Sequence, residues 1–313
     1  LRSASAANEL AGHVDLGIGS RKFAFVGSAS LTGYGDLRMG SDGLDDYLRP
    51  WYVRTFNGVD SQVVNVDPQL QMGTAFENYA YMAKLAYRPI DGLEVGLNGY
   101  YTTTSDHPRY DAMITARGDG SARWAVWNYG PQAWRMISGE VSHIAKRGPW
   151  TKAHLVIASQ RYDESRTQRG FRQTEITLQK EQVDGLWLNL DLQKFLGKRV
   201  QLLYGAEAIH NLVGSHAAQH ETVDDAYQNI NARYPDGSTW WTGSVYVGAM
   251  ADLTQRLTLS AGARYSRSGL EATFDTTLFP YPTTHTSLNN GALTGNMGAA
   301  WRPGTAWKLA IDL

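Results

Sequence analysis

The residues able to do chemistry are few, and they lie in polar stretches between apolar alternations. His107 stands beside Arg109, Tyr110 and Asp111. An imidazole, a guanidinium and a phenol this close could grip an anionic chelate, because the arginine fork matches a carboxylate in a bidentate way. The plainer alternative is a brace between neighbouring strands. His216 and His220 lie four apart and are followed by Glu221. On a helical turn both rings would share a face and could hold a metal or a haem iron; otherwise they are solvated loop histidines. His285, with Tyr281 nearby, could face an aromatic ligand or simply sit in solvent. Trp240 and Trp241 open an alternating run, where an interface anchor is a simpler role than a ligand platform. Asp42, Asp45 and Asp46 could suggest a cation site, but solvated loop acids are far commoner. There is no H-E-x-x-H, G-x-S-x-G, P-loop or dinucleotide-binding glycine pattern. No residue therefore takes a catalytic role, and neither a cofactor nor a metal ligand is assigned.

The composition narrows the scaffold that must position these groups. The 313 residues carry 29 Lys and Arg against 30 Asp and Glu, a net charge of −1 that argues against nucleic acid as partner. There is no Cys, which removes disulfide scaffolds, thiolate metal sites and thiol catalysis. No run of about 18 apolar residues is present, so a membrane-spanning helix is not expected. The aromatics are 17 Tyr and 10 Trp against only 8 Phe. That bias suits surfaces where one ring edge is greasy and the other is wet.

The dominant period is two, the period of a strand. Leu93, Val95, Leu97, Gly99 and Tyr101 alternate with Glu94, Gly96, Asn98 and Tyr100. Leu186, Leu188, Leu190 and Leu192 alternate with Trp187, Asn189, Asp191 and Gln193. Short connections near residues 20–21, 89–92, 146–150, 194–198, 252–256 and 303–306 alternate with longer polar ones at 36–69, 107–130, 163–172, 212–238 and 270–287. This reads as twelve strands in up-and-down order. An antiparallel sandwich has loops of mixed length at both ends, whereas a membrane barrel keeps short turns inside and long loops outside. The strict alternation favours the barrel, with Leu97 and Leu190 on its outer face and Asn98 and Asp191 on its inner face. Trp and Tyr near both strand ends would mark the two headgroup layers.

Several segments then carry a resemblance. Asn65-Val66-Asp67-Pro68-Gln69-Leu70-Gln71-Met72-Gly73-Thr74-Ala75-Phe76-Glu77-Asn78 resembles the TonB-dependent outer-membrane receptors of the iron-complex and haem type. Thr104 to Asp111 is similar to the family's S-D-x-P-R-Y-D segment, and Trp127 to Gln132 to its W-Y-Y-G-P-Q segment. Gln160 to Arg166 resembles its Q-x-x-x-E-S-R segment. Asp36 to Gly40 and Arg233 to Ser238 are similar to phrases in some members.

The resemblance implies a barrel of about 22 strands around a plugged lumen. On it, residues 1–313 form a single partial barrel domain in the outer membrane of a Gram-negative bacterium, without plug or C-terminal strands, and both chain ends read as cuts in a longer protein. The implied activity is uptake of an iron complex, siderophore or haem, energised by TonB through the missing plug. The implied partners are that substrate, the TonB complex and outer-membrane lipid. His107, Arg109, Tyr110, His216, His220 and His285 are the candidate ligand-binding residues, all in extracellular loops. An autonomous twelve-stranded pore and a soluble secreted sandwich that binds carbohydrate are the alternatives. An isolated twelve-stranded wall would be an open sheet with two unpaired edges.

Overall fold

The computed structural model describes residues 1–313. Alternation becomes one long antiparallel meander of twelve wall strands. These are β1 (Glu9–Gly19), β2 (Phe23–Tyr34), β3 (Phe76–Tyr87), β4 (Leu93–Thr104), β5 (Ala133–Ile144), β6 (Lys152–Gly170), β7 (Glu175–Leu196), β8 (Val200–Glu221), β9 (Ser238–Asp252), β10 (Leu257–Thr273), β11 (His285–Trp301) and β12 (Leu309–Asp312). Each pairs with the next, and β1 does not pair with β12, so the sheet is open with two edges, as expected. Arg2–Ala4, His107–Pro108, Trp124–Tyr129 and Ala226–Ile230 join the sheet as short extensions. Two further small ladders sit in the first long loop: Leu37–Arg38 with Leu70–Gln71, and Trp51–Phe56 with Val59–Val64.

The six short turns fall where the sequence puts them. In the turn between β7 and β8, Gly197 has φ +66°, a left-handed conformation that glycine adopts without steric cost. The opposite end departs from expectation at the third connection. Residues 163–170 belong to β6, and only 171–174 connect it to β7. Likewise β8 runs on to Glu221, so His216 and His220 lie on a strand. At about 3.3–3.4 Å per residue, the 22 residues of β7 and of β8 span roughly 70 Å before tilt. In a membrane barrel the apolar band is only about 25 Å tall, so strands of this length would stand well above it.

Register fixes the faces. Leu97, Gly139, Ile157, Leu188, Ala208 and Gly243 oppose one another across successive ladders, and directly paired residues share a face. Asn98, Ser138, Ala158, Trp187, Ile209 and Thr242 form the neighbouring row on the other face. Leu97 and Leu190 thus share one face, and Asn98 and Asp191 share the other. The first face exposes large apolar side chains, with Leu97 at 54%, Ile157 at 47% and Leu293 at 74%. The second carries Glu94, Glu140, Asp191, Glu207 and Arg264. On that polar face side chains two strands apart meet: Tyr246 donates to Asp191, and Arg264 donates to Glu207. Contacts that skip a strand are what the concave side of a curved sheet permits.

Only 22 of the 313 residues are buried, and the buried apolar set consists mostly of alanines. A secreted sandwich would keep a continuous dry core between two facing sheets. This chain has none, which removes the sandwich alternative.

Candidate functional site

The segments that carry the sequence resemblance converge at the long-loop end of the wall. Asp36 Oδ1 accepts the backbone N–H groups of Gly73, Thr74 and Ala75 at 2.8, 2.8 and 3.1 Å. Arg38 is ion-paired with Asp67. The Asn65 side chain accepts from Asp67 N (3.1 Å) and donates to Leu70 O (3.0 Å). His107–Pro108 pairs with Asn128–Tyr129, and Trp124–Tyr129 pairs with the outer end of β6. At Gly130, φ is +99° and a Cβ would lie 2.7 Å from Ser105 O, so only glycine fits this crossing. Its N–H donates to Ser165 O at 2.8 Å, and Ser165 Oγ donates back to Gly130 O at 2.5 Å.

Along this knot runs a chain of rings. Tyr34 stacks on Phe76 at 4.6 Å, Phe76 meets His107 at 5.8 Å, His107 meets Tyr129 at 5.8 Å, and Tyr129 meets Trp127 edge-on at 4.8 Å. Guanidinium groups close the row, with Arg109 4.7 Å from the Trp127 ring and Arg166 5.4 Å from Tyr129. Arg109 also grips Asp111 through Nε (2.9 Å) and Nη2 (2.8 Å), which holds that carboxyl below its usual range. Tyr110 lies under Arg49 at 4.8 Å. His107 Nδ1 is buried without a hydrogen-bond partner. The structure therefore brings His107, Arg109 and Tyr110 into one knot whose contacts brace the loops. A row of π faces edged by guanidinium groups can also hold a flat, electron-rich or anionic chelate.

The hairpin Trp51–Val64 is tied into the same end. Asp60, 3% exposed, accepts from Arg169 Nη1 and Nη2 (both 2.7 Å), from Arg172 N (2.7 Å) and from Thr55 Oγ1 (2.7 Å). Burial opposes ionisation of Asp60, but these four donors outweigh it and hold its pKa below the ordinary value. Arg49, 3% exposed, has no carboxylate partner; burial lowers its pKa, and it donates to Trp51 O at 2.9 Å.

The remaining candidates lie apart. His216 and His220 are not on a helical turn: four strand residues separate their Cα atoms by roughly 13 Å, too far for joint ligation of one metal. His216 approaches Asp236 at 3.6 Å and lines a cavity of about 250 Å³ with Asn231, Phe274 and Tyr281. His220 stacks on Tyr227 at 4.1 Å and bonds Asp225 at 2.8 Å. His285 is exposed at the start of β11, while Tyr281 hydrogen-bonds Asn231 (2.6 Å). Asp42, Asp45 and Asp46 are exposed around a short 3₁₀ turn, and no group of three or more His, Asp or Glu is placed to hold a metal. Trp240 faces the polar side and Trp241 the apolar side. Sequence reasoning missed Tyr34, Phe76, Asp60 and Arg169. Their roles depend on loops packing across gaps of up to 109 residues, for which alternation gives no signal.

No protein-family model matches the sequence, and no curated protein matches it. Solved structures do. A copper transporter, OprC, superposes with a TM-score of 0.70 at 10% identity, covering 96% of this chain and 42% of that one. The FrpB iron transporter from Neisseria meningitidis gives 0.63 at 14% identity, covering 97% and 43%. The haemophore receptor HasR of Serratia marcescens, solved with its haemophore HasA and haem, gives 0.60 at 14%, covering 98% and 45%. The chain thus spans less than half the length of each of these structures.

Proposed function

We propose that this chain, whose fold is that of the barrel wall of TonB-dependent outer-membrane receptors, forms part of a receptor that imports a metal complex across the outer membrane of a Gram-negative bacterium. The supporting observation is the two-faced wall: an apolar face for lipid, a polar face for a wet lumen, short turns at one end and a loop knot at the other. The fold neighbours are described as copper and iron transporters and a haemophore receptor, which supports metal-complex cargo. The cargo we favour is an iron complex, siderophore or haem, with passage energised by TonB acting on a plug domain elsewhere in the full-length protein. The open sheet argues against an autonomous twelve-stranded pore, whose last strand would pair with its first.

In this reading His107 and Arg109 at the ring row, with Tyr110 beneath Arg49, receive the cargo first, and the exposed His285 and His216, which shares a cavity with Tyr281, extend the mouth. His220, held by Tyr227 and Asp225, positions its loop. The test is growth and radiolabelled-iron uptake in a strain deleted for the full-length gene, supplied with haem or individual siderophores as sole iron source. Loss of growth on one iron complex, restored by the gene, supports the reading. Unchanged uptake of every complex overturns it.

A further inference from the structure

Above the membrane band, the register sets two carboxylates against each other on the polar face. Glu164 of β6 is the direct ladder partner of Glu181 of β7, and Glu181 is in turn the partner of Ser215 of β8. On the apolar face the charged residues Arg135, Arg161, Asp163 and Asp184 end the lipid-facing run at a lower level of the strands, so Glu181 lies outside the spanning segment.

The two acids are treated differently. Glu164 is satisfied, accepting from Arg166 Nη2 and from Tyr162 OH (3.1 Å). Glu181 is only 8% exposed, and neither of its oxygens has a hydrogen-bond partner. The cation near it is Arg166, which pairs with Glu164 through Nη2 and lies against the Tyr129 ring; its buried Nε has no hydrogen-bond partner and makes no bond to Glu181. The ladder partner of Glu181 on β8 is the buried Ser215, whose N–H is bound to Asp236 in the loop before β9 and whose Oγ accepts from Tyr234 N. Like charges directly opposite on a ladder repel, and an unpaired carboxylate out of water is costly, so such a pair keeps a proton.

We propose that Glu181, set against Glu164 on the ladder, keeps a proton, and that its loss loosens the outer ends of β6 and β7. The pair would then act as a pH-sensitive fastening of the loop end, independent of which cargo crosses. Burial, first, and the Glu164 charge push the Glu181 carboxyl up, while Arg166 pulls it down; the net direction is up, in agreement with the geometry. For an acid with a raised native value, the native state holds the extra proton. The stability this contributes is complete below the ordinary glutamate value and is lost as pH rises through the native one.

The test uses the full-length protein in detergent micelles. Infrared difference spectra over a pH titration should show a protonated-carboxyl carbonyl band that persists above the ordinary glutamate range and is absent in Glu181→Gln. Hydrogen exchange should show protection of amides 162–183 falling as that band disappears, several-fold in the wild type and not in Glu181→Gln. Glu164→Gln, which removes the repelling charge, should move the transition to lower pH. A wild type without the band, or a Glu181→Gln protein with the same pH-dependent exchange, overturns the proposal. So does release of the proton by millimolar calcium, which would make the pair a cation site.

Discussion

Arg169 and Asp60 meet through two 2.7 Å hydrogen bonds, although 109 residues separate them. The contact fastens the hairpin Trp51–Val64 to the tip of β6. Removing one partner of a buried ion pair leaves an uncompensated charge and costs about 3–5 kcal/mol. Asp60→Ala should therefore free the hairpin without unfolding the wall. Limited proteolysis should show new cleavage within 50–65, with the heat-modifiable gel mobility of the barrel unchanged.

The same pair sets an acid limit. Asp60 has a depressed native pKa, so its contribution is present above the ordinary aspartate value and is lost as pH falls through the native one. Hydrogen exchange in 51–64 should accelerate only below the ordinary aspartate range. In Asp60→Asn the hairpin should exchange fast at every pH.

Asp36 collects three backbone N–H groups from residues 73–75. Hydrogen bonds to a charged acceptor contribute roughly 1.5–3 kcal/mol each before non-additivity. Asp36→Ala should raise exchange of the 73–75 amides by at least an order of magnitude, and Asp36→Asn by less. Equal exchange in all three proteins would show that the contact holds nothing in place.

Much of the wall is legible in the sequence. Leu97 and Asn98 fall on opposite faces because period two leaves no other option once either is placed, and the turns at 20–21 and 89–92 are marked by local polarity and glycine. The loop end is not legible. Glu164 and Glu181 each look like ordinary polar positions in an alternation, and only the pairing register of two long strands makes them face each other. Residues 163–172 read as a loop because their side chains are polar, yet both faces of a strand can be polar where it runs beyond the apolar part of the wall. His216 and His220 carry the same error, since a spacing of four has a different meaning on a strand than on a helix.

At the ring row, His107→Ala and Arg109→Ala should each weaken cargo binding about tenfold, the loss of one good contact of about 1.4 kcal/mol. His220→Ala, whose ring is held by Tyr227 and Asp225, should change it little. Equilibrium binding of the complex identified by the growth assay reads this directly. A His220→Ala effect larger than that of His107→Ala would move the mouth to the other side of the loop end.

On the proposed function, lipid wets one face of these strands and water the other. Nitroxide labels on single cysteines at Leu97, Leu188, Asn98 and Asn189, in protein refolded into bilayers, measure this. Labels at 97 and 188 should be relaxed by oxygen and shielded from a water-soluble nickel complex, and labels at 98 and 189 should show the reverse. If all four positions respond alike, or if 189 reports lipid while 188 reports water, the wall described here is wrong.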